Sequence, residues 1–423
     1  METSFYHLVN PVKQYAWGSL DKIARFQHRS HPTQQPEAEV WMGAHPSDSS
    51  LVVIHGRKQS LFREMQQDPD YWLGPQVQAR YGIQFPYLLK LLAADKALSI
   101  QVHPSRIQAE RGFAIEERNG VPLNAPHRTY RDANHKPEMM VAQSEFWAMC
   151  GFRSLQSIQR LFRPLHHYIG KSVEGNKALL ELWSTIEKAE ADTQGHDRFF
   201  RSLMAVTMEQ PAAAQTLLEA GRRAARKELR ELDPDAADWI EKLYAQFPGD
   251  PGALAPLYLN LIRLQPGESL ALRAGIPHAY LHGLGIEIMA NSDNVIRAGL
   301  TVKHIDVPAL VETCRCEGMD PNPASPVEIL PGVEEYPRAF EEFSLIRIHP
   351  GNKVLHFNRN SPAAAIGPRI LLAGEGALLR ITGSNGEWYD LTGGNSLIIP
   401  HHTAEFGIQG SGRGYLASVG MIE

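Results

Sequence analysis

The sequence predicts a mainly β protein with an inserted α domain, arranged as two β-barrel domains plus a helical one. Three observations carry this expectation. Short apolar runs broken by Pro, Gly and His fill residues 1 to about 150, as in AEVWMGAHPSDSSLVVI and FPYLLKLLAADKALSIQVHP, which suits an all-β scaffold with functional loops. From 153 to 256 the texture changes to Leu, Ala, Glu, Lys and Arg at a period near 3.6, as in NKALLELWSTIEKAEAD, and closes at the turn signal PGDPG. Finally, one pattern occurs twice: G-x5-R-x-G-x2-H from Gly267 to His278, and G-x5-P-x-H-x2-E from Gly394 to Glu405. This reads as two copies of one hairpin, the second without its histidine. The expected division is 1–152 with 257–330 as one β domain, 153–256 as the helical insertion, and 331–423 as a second β domain without metal.

A chain of 423 residues exceeds what one core normally supports, in keeping with several domains. With 43% apolar residues, 21% charged residues and a net charge of −5, it has no basic surface for nucleic acid. The densest basic stretch, RRAARKELRELD, mixes Ala, Leu and Glu at helical spacing and reads as a solvated helix face. Three cysteines argue against a disulfide framework and for a reducing compartment, and the pair Cys314 and Cys316 lacks a second cluster to complete a metal site. No run approaches the ~18 apolar residues of a membrane span, and no signal region opens the chain. A cytoplasmic protein is expected.

In LSIQVHPS (98–105) strand alternation places Leu98, Ile100 and Val102 on one face and Ser99, Gln101 and His103 on the other. Glu138 opens the apolar run after NHKP, and His278 opens another after a Gly-x-Pro turn. Inward-facing residues from different strands of a barrel can converge on a small site. Two imidazoles, one carboxylate and one neutral amide would leave a divalent cation net positive, which suits an anionic substrate. Nitrogen and oxygen donors without thiolate fit zinc, with manganese or ferrous iron as alternatives.

LSIQVHPS, DANHKPEM, AGIPHAYLHG and EIMANSDNVIRAGLTVKHID, with KQYAWGS and AEVWMGAHPSDSS before them, resemble the type I mannose-6-phosphate isomerases of the cupin superfamily. The resemblance implies a zinc enzyme with two cupin-like, jelly-roll domains around a helical insertion. It implies one Zn²⁺ per chain, held by Gln101, His103, Glu138 and His278, and a catalytic Arg297. Val302 stands where a proline is common, and Arg273 replaces the proline of the general cupin pattern. The implied reaction interconverts mannose 6-phosphate and fructose 6-phosphate through a cis-enediol. Lys136, His135 and Glu287 are candidates for moving the proton. Arg297, which stays protonated, is assigned to the enediolate or the phosphate. Ser99, Trp17, Tyr280 and Lys303 are candidates for substrate binding, with Trp41, Lys90 and Lys96 nearby in the motifs. The expected partner is a small sugar phosphate, with no nucleic acid, no membrane and a monomeric chain. Two rivals remain at this point: a ferrous oxygenase, which uses two histidines and a carboxylate, and a non-catalytic sugar-binding cupin.

Overall fold

A strand that is buried at every position needs a partner layer on each face. Arg369–Ala373, Ser396–Ile399 and Gly414–Ser418 are such strands, buried throughout. In the computed structural model, which describes residues 4–169, 177–188, 194–359, 361 and 367–420, they lie inside a nine-stranded antiparallel sheet. Ile370, Leu372, Ile398 and Ala417 pack on one side of it, and Leu371, Ala373, Leu397 and Leu416 on the other. A four-stranded sheet built from Leu355–Asn358, Leu378–Gly383, Trp388–Thr392 and Glu405–Ser411 covers the second side. The first side meets a larger curved sheet through Leu89, Leu91, Val141, Ile286 and Ile288.

The curved sheet is organised by one long strand, His278–Ala290. Its first residues pair with Phe146–Phe152 and with Gln101, and its later ones with Tyr87–Ala94 and Glu138–Ala142. The opposite face of these strands forms an inner core of Leu92, Ala94, Met140, Ala142, Phe146, Cys150, Leu272 and Tyr280. The short strand Ile100–Val102 closes onto His278 on one side and onto Ile296–Gly299 on the other. Its apolar face, Ile100 and Val102, packs into the core of the helical block.

That block contains Leu155–Ile169, Lys177–Glu187, Gly195–Glu209, Pro211–Ala225, Glu228–Leu232 and Pro234–Gln246, ending in a 3-10 turn at Pro251–Leu257. The helices bury one stripe each, as Leu155, Ile158, Leu161, Phe162 and Leu165 do in the first. These helices fall where the sequence has a helical period, and 170–176 and 189–193 lie outside the described residues.

Two expectations are corrected. The first 152 residues are not all-β: they carry helices, of which Arg106–Arg118 is the longest. Ser105 and Gln108 cap it reciprocally, a local signal that outweighs its weak amphipathicity. The repeated pattern is not a hairpin. Ser269–Leu272 pairs with Glu138–Ala142, not with the strand after it, and Ser396–Ile399 likewise does not pair with Glu405–Ser411. In the first copy the two strands flank one partner, Glu138–Ala142, from either side, and in the second they belong to different sheets.

The chain's beginning is built into its far end. Tyr6–Val9 pairs with Ser396–Ile399 on one side and Leu51–Ile54 on the other, and Arg57–Ser60 follows, so these strands complete the nine-stranded sheet. No helix among the described residues is long and apolar enough to cross a membrane.

Candidate metal centre

Strand alternation puts Glu138 on the inner face with Met140 and Ala142, and Gln101 on the face opposite Ile100 and Val102. Gln101 lies directly across from His278 in one pairing and from Arg297 in the other, so the three side chains share a face. His103 stands one residue beyond the strand end. Donor atoms of His103, Glu138 and His278 come within 4.8 Å of one another, and each residue is 1% exposed.

The backbone fixes which ring nitrogens face the centre. His103 Nδ1 donates to the Asn294 carbonyl at 2.7 Å, and His278 Nδ1 to the Ile276 carbonyl at 2.9 Å. Each Nε2 is therefore a bare lone pair. They lie 3.3 and 3.5 Å from the two Glu138 carboxylate oxygens, which are acceptors as well, and neither nitrogen has a hydrogen-bond donor. Burial and the nearby Lys136 ammonium lower the His103 pKa to about 4, so the ring is neutral. Burial alone would raise the Glu138 carboxyl, but the Lys136 ammonium holds it well below the usual carboxylate range. Two buried ring nitrogens that face a carboxylate, with no donor for either, are costly unless a cation joins them.

Behind the donors runs a polar chain. The Tyr280 hydroxyl donates to Glu138 Oε2 at 3.4 Å, and Tyr280 also hydrogen-bonds Glu287. Glu287, 2% exposed, takes the Lys90 ammonium at 2.8 Å, and Lys90 reaches Glu39 at 3.6 Å. Burial raises the Glu287 carboxyl, partly offset by Lys90. Arg297, on the face that Gln101 and His278 share, is one of three neighbouring cations. Arg297, Arg131 and Lys303 feel one another's charge, and none makes an ion pair among the described residues. Burial and Arg131 lower the Arg297 pKa, and burial and Arg297 lower that of Lys303. A cavity of about 860 Å³ is lined by His45, Arg106, Arg131, Asn134 and Asp293, among others.

Residues 5–155 match the family model of the phosphomannose isomerase type I catalytic domain. The mannose-6-phosphate isomerase of Escherichia coli is 34% identical over 411 residues, covering 96% of this chain and 97% of that one. The chain belongs to the type I phosphomannose isomerases. The enzyme of that name from Salmonella typhimurium is 37% identical over 80% of this chain and 82% of its own length. Among solved phosphomannose isomerases, a glutamate-to-alanine mutant from Salmonella typhimurium superposes with a TM-score of 0.87 at 30% identity, covering 99% of this chain and 100% of that one. A zinc-bound mannose 6-phosphate isomerase superposes with a TM-score of 0.85 at 31% identity over the same shares. Zinc is the metal of this phosphomannose isomerase, and the donors on the page fit it: two imidazole nitrogens and a carboxylate, without thiolate.

Not every expected site residue of this phosphomannose isomerase gathers at the donors. Lys136 does, with Nζ 2.7 Å from Glu138 Oε1. His135 turns to Glu342 Oε1 at 2.6 Å and lies beside Arg106. Glu287 is partnered by Lys90 rather than by Arg297. Ser99 is half-buried at the strand's entry. Trp17 is half-buried against Tyr15, and its carbonyl accepts from Asp95 and Lys96. Lys96 is exposed, whereas Lys90 is a buried ion-pair member.

Sequence reasoning missed several groups. His45, 4% exposed, lies 3.6 Å from Asp293 and 2.7 Å from the Ser47 hydroxyl. Asn294, fully buried, accepts from the Arg131 amide and donates to the Asp132 and Asn134 carbonyls, binding the loop before Glu138 to the turn before Arg297. The sequence suggests that Asn294, with Asn291 and Asp293, shapes the turn before Arg297; what it does not mark are these bonds to the loop before Glu138.

Proposed function

We propose that this chain interconverts mannose 6-phosphate and fructose 6-phosphate through a cis-enediol, at one zinc held by Gln101, His103, Glu138 and His278. The observation that carries the reading is the pairing of a donor set that holds a single negative charge with three cations, Arg297, Arg131 and Lys303, that have no acidic partner among the described residues. Zinc, when bound, supplies a Lewis acid that polarises a sugar oxygen.

The chain's own groups do the rest. Arg297 and Lys303, with Arg131, meet the phosphate or the developing oxyanion, which a guanidinium stabilises without giving up a proton. Lys136 is the candidate for carrying the proton between C1 and C2, because its ammonium alone among the three candidates touches a donor of the set. Glu287 and His135 are engaged by Lys90 and Glu342, and serve as supports. Tyr280 holds the Glu138 carboxylate, while Ser99 and Trp17 border the site. The wider reading comprises two jelly-roll cupin domains, 1–152 with 257–330 and 331–423, around the insertion 153–256, in a monomeric cytoplasmic enzyme.

The test is conversion in deuterium oxide by metal-stripped protein restored with zinc. Formation of fructose 6-phosphate carrying deuterium at C1 is expected. Product without solvent label would overturn the enediol, and ligand binding without conversion would overturn the isomerase.

A further inference from the structure

Cys314 and Cys316 form the chain's one C-x-C pair, and the metal centre does not use them. They follow the helix Val307–Thr313. The two thiols hydrogen-bond each other, and Cys316 Sγ lies 3.7 Å from the Cys314 carbonyl oxygen. Cys314 is buried beneath, and Cys316 is half-exposed above it. An accessible thiol with a second one in reach is the arrangement of an attacking and a resolving cysteine. Arg201, from the helix Gly195–Glu209, lies near Cys316 while also bonding Asp197. Contact with Cys316 and burial push the Cys314 thiol well up, so it keeps its proton until the outer sulfur has reacted.

The pair is tied to the metal centre by backbone. Arg315, between the cysteines, donates its amide to the Gly275 carbonyl at 2.8 Å, and the Gly275 amide donates to the His103 carbonyl at 2.8 Å. The next residue, Ile276, orients the His278 ring. Gly275 has a φ of +82°, and a Cβ there would lie 2.6 Å from Arg315 Cγ, so the two segments are in close contact. A disulfide fixes the separation and orientation of its two backbone ends, and closing one across a single residue turns the intervening peptide.

We propose that Cys314 and Cys316 form a reversible intrachain disulfide on exposure to hydroperoxides, and that its formation breaks the Arg315–Gly275 bond that braces the metal-ligand turn. The Cys316 thiolate attacks one oxygen of hydrogen peroxide; the S–O bond forms as O–O breaks, and the departing hydroxide takes up the proton that the thiol gave, leaving as water. The Cys314 sulfur then attacks the sulfenic sulfur. S–S forms, S–O breaks, and the second hydroxide takes the Cys314 proton as water. The two thiols supply the two electrons that reduce the peroxide.

The full-length zinc-loaded protein is treated with hydrogen peroxide, blocked with N-ethylmaleimide and cleaved after glutamate, which frees residues 313–317. The expected peptide is unalkylated, two hydrogens lighter than its reduced form and restored by dithiothreitol. In the oxidised protein the Arg315 amide is expected to exchange with deuterium at least several-fold faster. Cys314→Ser is expected to stop at a Cys316 sulfenic acid that dimedone traps. Alkylation of both thiols after peroxide, a lasting sulfenic acid on Cys316 of the unaltered protein, a disulfide between two molecules, or unchanged Arg315 exchange in the linked form would each overturn the proposal.

Discussion

Two imidazole nitrogens with no donor and a carboxylate between them define what each nearby residue does. Removing a donor and removing a neighbouring cation therefore have different signatures. His278→Ala is expected to weaken zinc binding by more than the roughly 10–100-fold that loss of an outer partner costs. Arg297→Ala is expected to keep zinc and lower turnover by roughly 10²–10³-fold, the scale of one lost electrostatic donor. Metal analysis beside an isomerase assay separates them. The neutral state of His103 also has a sign. Its pKa of about 4 in the fold lies below the ~6.5 of a free imidazole, so between those values the unfolded chain binds more protons. Stability of the metal-free protein is thus expected to fall as pH drops from 6.5 towards 4, with Glu138 adding loss at still lower pH. Urea midpoints across that range measure it, and His103→Gln is expected to flatten the slope. Lys90→Met would leave Glu287 buried and unpaired, at a cost of about 3–5 kcal/mol in urea unfolding, and adding Glu287→Gln is expected to recover part of it. Glu138 and His278 were legible because each opens an apolar run, and Gln101 and His103 because strand alternation in LSIQVHPS puts them on one face. Lys90 was not, because its partner is 197 residues away and nothing local marks it.

At the scale of elements, the strand His278–Ala290 changes neighbours midway, from Phe146–Phe152 to Tyr87–Ala94. Gly283 sits at that change with a φ of +131°, and a Cβ there would lie 2.6 Å from the Glu145 carbonyl oxygen. Gly283→Ala is expected to cost at least the ~1–3 kcal/mol of a strained backbone, read as a lowered urea midpoint. A site spread over that strand and its neighbours would loosen with it. The helices between Leu155 and Gln246 were legible from period alone, since each buries a single stripe. The helix Arg106–Arg118 was not, because Ala109 is its one buried residue and its hydrophobic pattern is correspondingly faint. The two copies read as hairpins for a simple reason: sequence shows two strands joined by a short turn, whereas pairing is decided by strands far along the chain.

For the whole molecule, the nine-stranded sheet is the shared wall between the core that backs the curved sheet and the core of the C-terminal sandwich. Tyr6–Val9 fills a place in the middle of that wall, between Ser396–Ile399 and Leu51–Ile54. Deleting residues 4–10 would open two facing strand edges in an otherwise buried layer. Such a variant is expected to partition into the insoluble fraction, whereas the intact chain stays in solution. A broad β architecture with a helical insertion could be read from texture, but this long-range insertion could not, because HLV looks like any other short apolar run.

That seam also sets the order in which the polypeptide can finish as it leaves the ribosome. His7 emerges first, yet its register partner Leu397 is made 390 residues later, a delay of roughly 20–80 s at ordinary rates of translation. Until Leu397 is made, the strand Tyr6–Val9 has a partner on one flank only, and the central layer stays incomplete.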